Sequence, residues 1–234
     1  MIEIDYDRVE AVLFDVGGVF LIPHHEVLRP ILGKIVGGLP ADETFHLAHY
    51  SGIRLDASET TDDQFWAGYN RRYVEALALG DEHHHALATA IHHVWLSGMN
   101  LWSWELTTNI EALSAISSRA RTGIVSNADG TVERQLANAG ICQVGAGRGT
   151  EVEVVVDSSA VGVAKPNPAI FAFALEPMDL PADRVLYVGD THRYDVIGAQ
   201  RAGLQVVHLD PYRLHRDEGH ACIDSLWDIH DALR

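Results

Sequence analysis

Lysine is nearly absent from this chain. Among 234 residues only Lys34 and Lys165 occur, so each is informative. Cysteine is equally scarce: Cys142 and Cys222 stand alone with no CxxC spacing, which argues against a disulfide framework or a site built from thiolates and predicts two reduced core thiols. No apolar run reaches the ~20 residues of a membrane span, because Asp15 interrupts the longest candidate, and Met1–Asp5 lacks the basic flank of a signal peptide. No membrane partner and a cytoplasmic location are therefore expected. Positive charge is also short. A formal net charge of −16 opposes nucleic acid or an anionic membrane surface as a partner, since both need a basic footprint. A phosphate substrate would then need local positive charge from a metal, a lysine or helix N-termini.

What the chain does have is a 47% hydrophobic composition, enough for a well-buried core, and a clear change of pattern along its length. Ala11–Phe14 is an apolar run that reads as a strand buried on both faces; it ends at Asp15, and Gly17-Gly18 then permit a tight turn. Val19–Pro23 followed by His24-His25 reads as a short hairpin-like flap. From 26 to 96 helical spacing takes over, with about four helices broken at Gly37–Pro40, at Ser58–Asp63 and at Gly80-Asp81. From Thr107 onward helices alternate with strands at 122–125, 152–156, 185–188 and 205–209, before a terminal helix near 226–233. Five strands with right-handed crossovers predict an α/β fold, a doubly wound parallel sheet formed by residues 1–25 and 97–234 with a helical insertion at 26–96.

Three further stretches end a predicted strand, or follow one, with reactive groups. They are Ile124-Val125-Ser126-Asn127, Val163-Ala164-Lys165-Pro166-Asn167-Pro168 and Val188-Gly189-Asp190-Thr191-His192-Arg193-Tyr194-Asp195. With Asp15 they supply a hydroxyl, an ammonium and three carboxylates to the carboxyl edge of one sheet. That set suits phosphoryl transfer, in which a carboxylate attacks, carboxylates hold a divalent metal, and an ammonium neutralises the transferring oxygens.

These four motifs, in this order and strand context, resemble the haloacid dehalogenase (HAD) superfamily of hydrolases over nearly the whole chain. The resemblance implies a Rossmann-like core with an inserted α-helical cap. It implies that Asp15 is the nucleophile forming an aspartyl-phosphate, that Ser126 and Lys165 bind phosphoryl oxygens, and that Asn127 helps place a small phosphorylated substrate. It also implies Mg²⁺ held by Asp15, the Gly17 carbonyl, Asp190 and Asp195.

One position departs from the pattern. Most phosphatases of the superfamily carry a second aspartate two residues after the nucleophile, as the general acid/base, and here that residue is Gly17. Loss of such a group costs roughly 10²–10⁴-fold in rate. Three expectations follow: His24 and His25 substitute for it, the substrate is an acyl phosphate or similarly activated ester, or the fold binds a phosphorylated ligand with little turnover. Dehalogenases and phosphonoacetaldehyde hydrolases also lack that aspartate. The first work without metal and differ in the Gly189–Asp195 motif; the second need a Schiff-base lysine in the cap, for which Lys34 is the one candidate.

Other notable residues have plainer readings. His83–His85 and His92-His93 have no pair at one-face helical spacing and read as a solvated face; His46 and His49 do have i,i+3 spacing and read as a surface helix. Trp66, Tyr69 and Tyr73 form a helical stripe expected in a core.

Overall fold

The structure, a computed structural model, describes residues 4–54, 59–97, 99–216 and 219–233. Two compact units emerge, Met1–Phe20 with Leu106–Arg234, and Leu21–Glu105. In chain order the strands are β1 (Ala11–Phe14), β2 (Leu21–Pro23), β3 (Trp102–Glu105), β4 (Arg121–Ser126), β5 (Cys142–Val144), β6 (Thr150–Val152), β7 (Val154–Asp157), β8 (Val185–Gly189), β9 (Gln205–Leu209) and β10 (Cys222–Ile223). The helices are α1 (His25–Leu32), α2 (Asp42–Gly52), α3 (Asp62–Ala76), α4 (His84–Leu96), α5 (Thr107–Ser117), α6 (Val132–Ala139), α7 (Ser158–Val161), α8 (Ala172–Met178), α9 (Ile197–Ala202) and α10 (Leu226–Ala232).

The first unit holds a six-stranded sheet in the order β10-β9-β8-β1-β4-β7, parallel throughout. All of β1 and β8 is buried, which is why both strands are written as unbroken apolar runs rather than alternating ones. Ala11 and Leu13 pack with Ile170, Phe171, Tyr187 and Val196; strand alternation turns Val12 and Phe14 to the other face.

The five expected strands are present, with one division. The run at 152–156 breaks at Glu153, so β6 leaves the central sheet to pair with β5 while β7 pairs with β4. The sixth strand, β10, has two residues, too few to show a period. The helical segment between the strands at 185–188 and 205–209 opens with a π turn at His192–Val196, where the Val196 amide reaches back to the Thr191 carbonyl, and α9 follows it.

The second unit contains α1–α4 and an antiparallel β2–β3 pair. The expected hairpin-like flap is not a local hairpin: Val19 and Phe20 close a turn on Val16, and Leu21–Pro23 pairs with Trp102–Glu105 instead. His24 then caps α1 by accepting from the Glu26 amide, and His25 packs edge-on against Trp104 at 4.3 Å. Ser58, in one of the expected breaks, lies outside the described residues; the start of α3 shows a capping box between Thr61 and Gln64. Tyr69 and Tyr73 are core, as the stripe predicts, while half-buried Trp66 lies 4.7 Å from Trp95.

The surface reading of His46 and His49 is overturned. His49 is buried with Nδ1 3.0 Å from the Tyr69 hydroxyl, and His46 is half-buried against Tyr50 and Trp104. Burial pushes the His49 imidazole down to about 3 and His46 down to about 4, so both are neutral near pH 7.

Candidate active site

The carboxyl ends of neighbouring strands deliver the reactive groups. Asp15 follows β1, and its amide extends the ladder by donating to the Val188 carbonyl at 2.8 Å. Asp190 follows β8, and Asp195 sits in the π turn one step beyond. Lys165 lies in the loop after α7. Its position is fixed by Asn127, whose carboxamide accepts from the Lys165 amide (2.8 Å) and donates to the Lys165 carbonyl (3.0 Å). Ser126 is the buried last residue of β4, in register with Asp157 of β7. Gly17 belongs to the turn after β1.

Asp15, Lys165, Asp190 and Asp195 meet as one buried cluster. The Lys165 ammonium lies 2.9 Å from Asp15 Oδ1 and 2.7 Å from Asp195 Oδ1, and it donates to the Tyr187 hydroxyl at 2.7 Å. Asp195 is saturated. Its Oδ1 faces Lys165 and Tyr187, and its Oδ2 accepts from the Thr191 amide (2.9 Å) and the Thr191 hydroxyl (2.5 Å). The Tyr187 hydroxyl lies 3.0 Å from the Val125 carbonyl and 3.0 Å from Asp195 Oδ1, so its one proton serves either acceptor in turn.

The charge balance sets the proton affinities. Burial, opposed by Lys165 and reinforced by the charges of Asp195 and Asp190, raises Asp15 to about 7. Asp190 is held well above the usual carboxylate range by burial and then by Asp195. Burial alone would lower the Lys165 ammonium, but the charges of Asp15 and Asp195 more than reverse this and raise it. One ammonium thus faces three carboxyl groups, and a divalent cation would restore neutrality.

The residues fit such an ion. One carboxylate oxygen from each of Asp15, Asp190 and Asp195 falls within a mutual 4.8 Å. These hard oxygen donors suit a cation such as Mg²⁺. Such an ion would be held by Asp15, Asp190 and Asp195, whose oxygens also face Lys165, Tyr187 and Thr191. Asp15 Oδ1 is buried and accepts no well-directed hydrogen bond, although the ammonium lies close to it. Two glycines make the close approach feasible. A Cβ on Gly18, whose φ is +66°, would lie 1.7 Å from Asp190 Oδ2, and one on Gly189 would lie 2.2 Å from Asp195 Cγ.

Sequence reasoning missed Tyr187 and Thr191. Tyr187 lies within an apolar strand, where periodicity reports only burial, and its hydroxyl had no signal; Thr191 is flagged only by standing between two aspartates. A cavity of about 750 Å³, lined among others by Glu10, Arg121 and Glu153, opens at the amino end of β4 and contains none of the cluster residues.

Comparison with known proteins agrees with this geometry. Residues 9–203 match the family model described as haloacid dehalogenase-like hydrolase. The chain is 33% identical over 124 residues to pyrimidine 5'-nucleotidase YjjG of Escherichia coli (strain K12), a match covering 52% of each chain. It is 31% identical over 133 residues to haloacid dehalogenase-like hydrolase domain-containing protein 3 of Danio rerio, covering 57% of this chain and 50% of that one. The matched region therefore spans about half the length of these two relatives. Among solved structures, a HAD phosphatase from Thermococcus onnurineus shares the fold with a TM-score of 0.53 at 22% identity, over 95% of this chain and 97% of that one. A parallel sheet with an acidic cluster at its carboxyl edge, together with a family match over most of its length, makes this chain a member of the haloacid dehalogenase-like hydrolase family.

Proposed function

We propose that this hydrolase is a Mg²⁺-dependent phosphatase of a small phosphorylated metabolite, with Asp15 as nucleophile. The observation that carries the proposal is the meeting of Asp15, Lys165, Asp190 and Asp195 at one sheet edge, with a single ammonium against three acids. An Asp15 oxygen attacks phosphorus, the new O–P bond forms as the ester O–P bond breaks, and the leaving oxygen departs with its electron pair. Water then cleaves the aspartyl-phosphate and releases inorganic phosphate. Asp195 and Tyr187 orient Lys165, whose charge faces the transferring oxygens, and Ser126 at the carboxyl end of β4 binds a phosphoryl oxygen. Mg²⁺, held by Asp15, Asp190, Asp195 and the Gly17 carbonyl, would neutralise developing negative charge. In this reading residues 26–96 are the inserted helical cap.

Gly17 favours a second reading on the same site: binding of a phosphorylated ligand with slow turnover. The usual proton donor is missing, and Lys165, Tyr187 and Thr191 direct their protons toward Asp15, Asp195 or the Val125 carbonyl. A screen of phosphorylated metabolites with Mg²⁺, comparing wild type with Asp15→Asn, separates the readings. Phosphate release that depends on Asp15 supports the phosphatase. Binding with no Asp15-dependent release leaves the ligand-binding protein and overturns the enzyme.

A further inference from the structure

Behind the acidic cluster, the same unit gathers His208, His220 and Cys222. His208 on β9 is the register partner of Cys222 on β10, and paired residues of adjacent parallel strands direct their side chains to one face. His220 precedes Cys222 by two residues, the spacing that returns a side chain to the same face of an extended chain, and the His208 amide pairs with the intervening Ala221 carbonyl at 2.9 Å. One ligand atom from each of the three lies within 4.8 Å of the other two. His208 and His220 are buried; Cys222 is half-buried, its sulfur no nearer than 3.9 Å to the carbonyls of His215 and His220.

The hydrogen bonds fix how His208 is presented. Its Nε2 lies 2.6 Å from the Asp190 carbonyl oxygen, which can only accept, so Nε2 carries the proton and Nδ1 offers a lone pair. That lone pair faces His220 Nε2 at 2.7 Å. A ring that donates one N–H to a main-chain carbonyl and offers its other nitrogen to a shared point has the supported arrangement of metal-binding histidines. We propose that His208 Nδ1, His220 Nε2 and Cys222 Sγ form a second metal site, for a borderline-soft divalent ion of the Zn²⁺ type, distinct from the all-oxygen cluster at Asp15. Two imidazoles and a thiolate select Zn²⁺ or Co²⁺ over Mg²⁺, and three protein ligands leave a fourth position for water. Loading takes one proton from the Cys222 thiol, moves the His220 proton from Nε2 to Nδ1, and exchanges the imidazole–imidazole hydrogen bond for two metal–nitrogen bonds. The CxxC-type spacing that announces such sites in a sequence is absent because the ligands come from two strands.

The test uses the full chain stripped of metal, with Co²⁺ as spectroscopic probe and Zn²⁺ in competition with a chelator. Wild type is expected to bind Co²⁺ at the His208–His220–Cys222 site with a thiolate-to-metal charge-transfer band that Zn²⁺ removes. Cys222→Ser, a near-isosteric change at a half-buried position, should abolish the band and weaken Zn²⁺ at least tenfold while leaving the thermal melt of the metal-free protein in place. His220→Gln should weaken Zn²⁺ similarly, and Asp15→Asn should leave the band unchanged. Absence of the band in folded wild type, its persistence in Cys222→Ser, or its loss in Asp15→Asn would each overturn the proposal.

Discussion

Asp15 should make the metal-free protein less stable as the pH rises from acid to neutral, and Asp15→Asn should remove that penalty. The ordinary value for this carboxyl is 3.8, and burial with two neighbouring acids raises it to about 7 in the fold. Between those values the unfolded chain has lost the Asp15 proton while the folded chain keeps it. The folded state binds more protons, so stability falls as pH rises through the window and levels off above about 7. At 1.36 kcal/mol per pH unit the ceiling is about 4 kcal/mol. The side chain is only 13% exposed, so solvent screening takes little from this figure, and the attraction of Lys165 is already within it. Asp190 responds to the same charge, so the cleanest quantity is the difference between variant and wild type. Urea denaturation in chelator should find Asp15→Asn more stable by about 2–4 kcal/mol at pH 8, with the gap closing near pH 4. Saturating Mg²⁺ should then stabilise wild type and not the variant, because an ion that binds only the fold adds stability by mass action. An Asp15→Asn variant that is less stable than wild type at pH 8 in chelator would refute the electrostatic reasoning.

Three further outcomes follow from the geometry. Asn127→Ala removes both hydrogen bonds that hold the Lys165 main chain, and should lower kcat at least tenfold with a stability loss of about 1–3 kcal/mol, read by steady-state kinetics beside denaturant titration. Gly18→Ala places a Cβ on Asp190 at a left-handed φ of +66°; calorimetry should show Mg²⁺ affinity reduced at least tenfold, and the fold destabilised by about 1–3 kcal/mol. His49 acts in the opposite pH direction from Asp15. Its folded value near 3 lies below the ordinary 6.5, so its contribution is present above pH 6.5 and is lost as pH falls toward 3, by at most about 5 kcal/mol. In His49→Gln, circular dichroism of the acid transition should show a shallower loss over that range.

The parallel sheet was legible because strands buried on both faces need continuous apolar runs, and Ala11–Phe14 and Val185–Val188 supply them. Asp15, Lys165, Asp190 and Asp195 stood out because charge directly after such runs, or in the loop that follows, has few structural reasons to exist. The features that escaped share a different cause. The β2–β3 pair joins residues some eighty positions apart, a contact no local pattern encodes, and β10 is two residues long. His49 carries a polar side chain into a core because Tyr69 gives its ring a partner, and composition cannot announce a partner twenty residues away. Tyr187 hides for the reverse reason: in an apolar strand its ring satisfies the hydrophobic pattern while its hydroxyl joins the charged cluster. The step from Asp190 to Asp195 escaped as well, because an apolar pattern does not distinguish an ordinary helix from the π turn found at His192–Val196. A π turn is wider, and it returns Asp195 to the Thr191 amide and hydroxyl, which leaves its other oxygen for Lys165.

The commitments of these side chains give Gly17 a sharper consequence. If the site performs phosphoryl transfer, a leaving alkoxide needs a proton, and an aspartate at this position would have supplied it from the same strand end as the nucleophile. No group in the cluster can substitute cheaply. Lys165 contacts three oxygens, Thr191 spends its hydroxyl proton on Asp195, and withdrawing either would expose a buried carboxylate to its neighbours. Asp15 could carry a proton near pH 7, but a protonated Asp15 is no nucleophile. His24 is also engaged, as the cap of α1 with its ring lowered by burial and by His25, so recruiting it would cost a helix cap. The cheapest chemical solution is a leaving group that needs little help. Rates should then depend steeply on leaving-group acidity, with acyl and aryl phosphates turned over far faster than alkyl phosphates, and Gly17→Asp should flatten that dependence by restoring the missing acid. An equally steep dependence before and after the substitution would place the proton donor elsewhere.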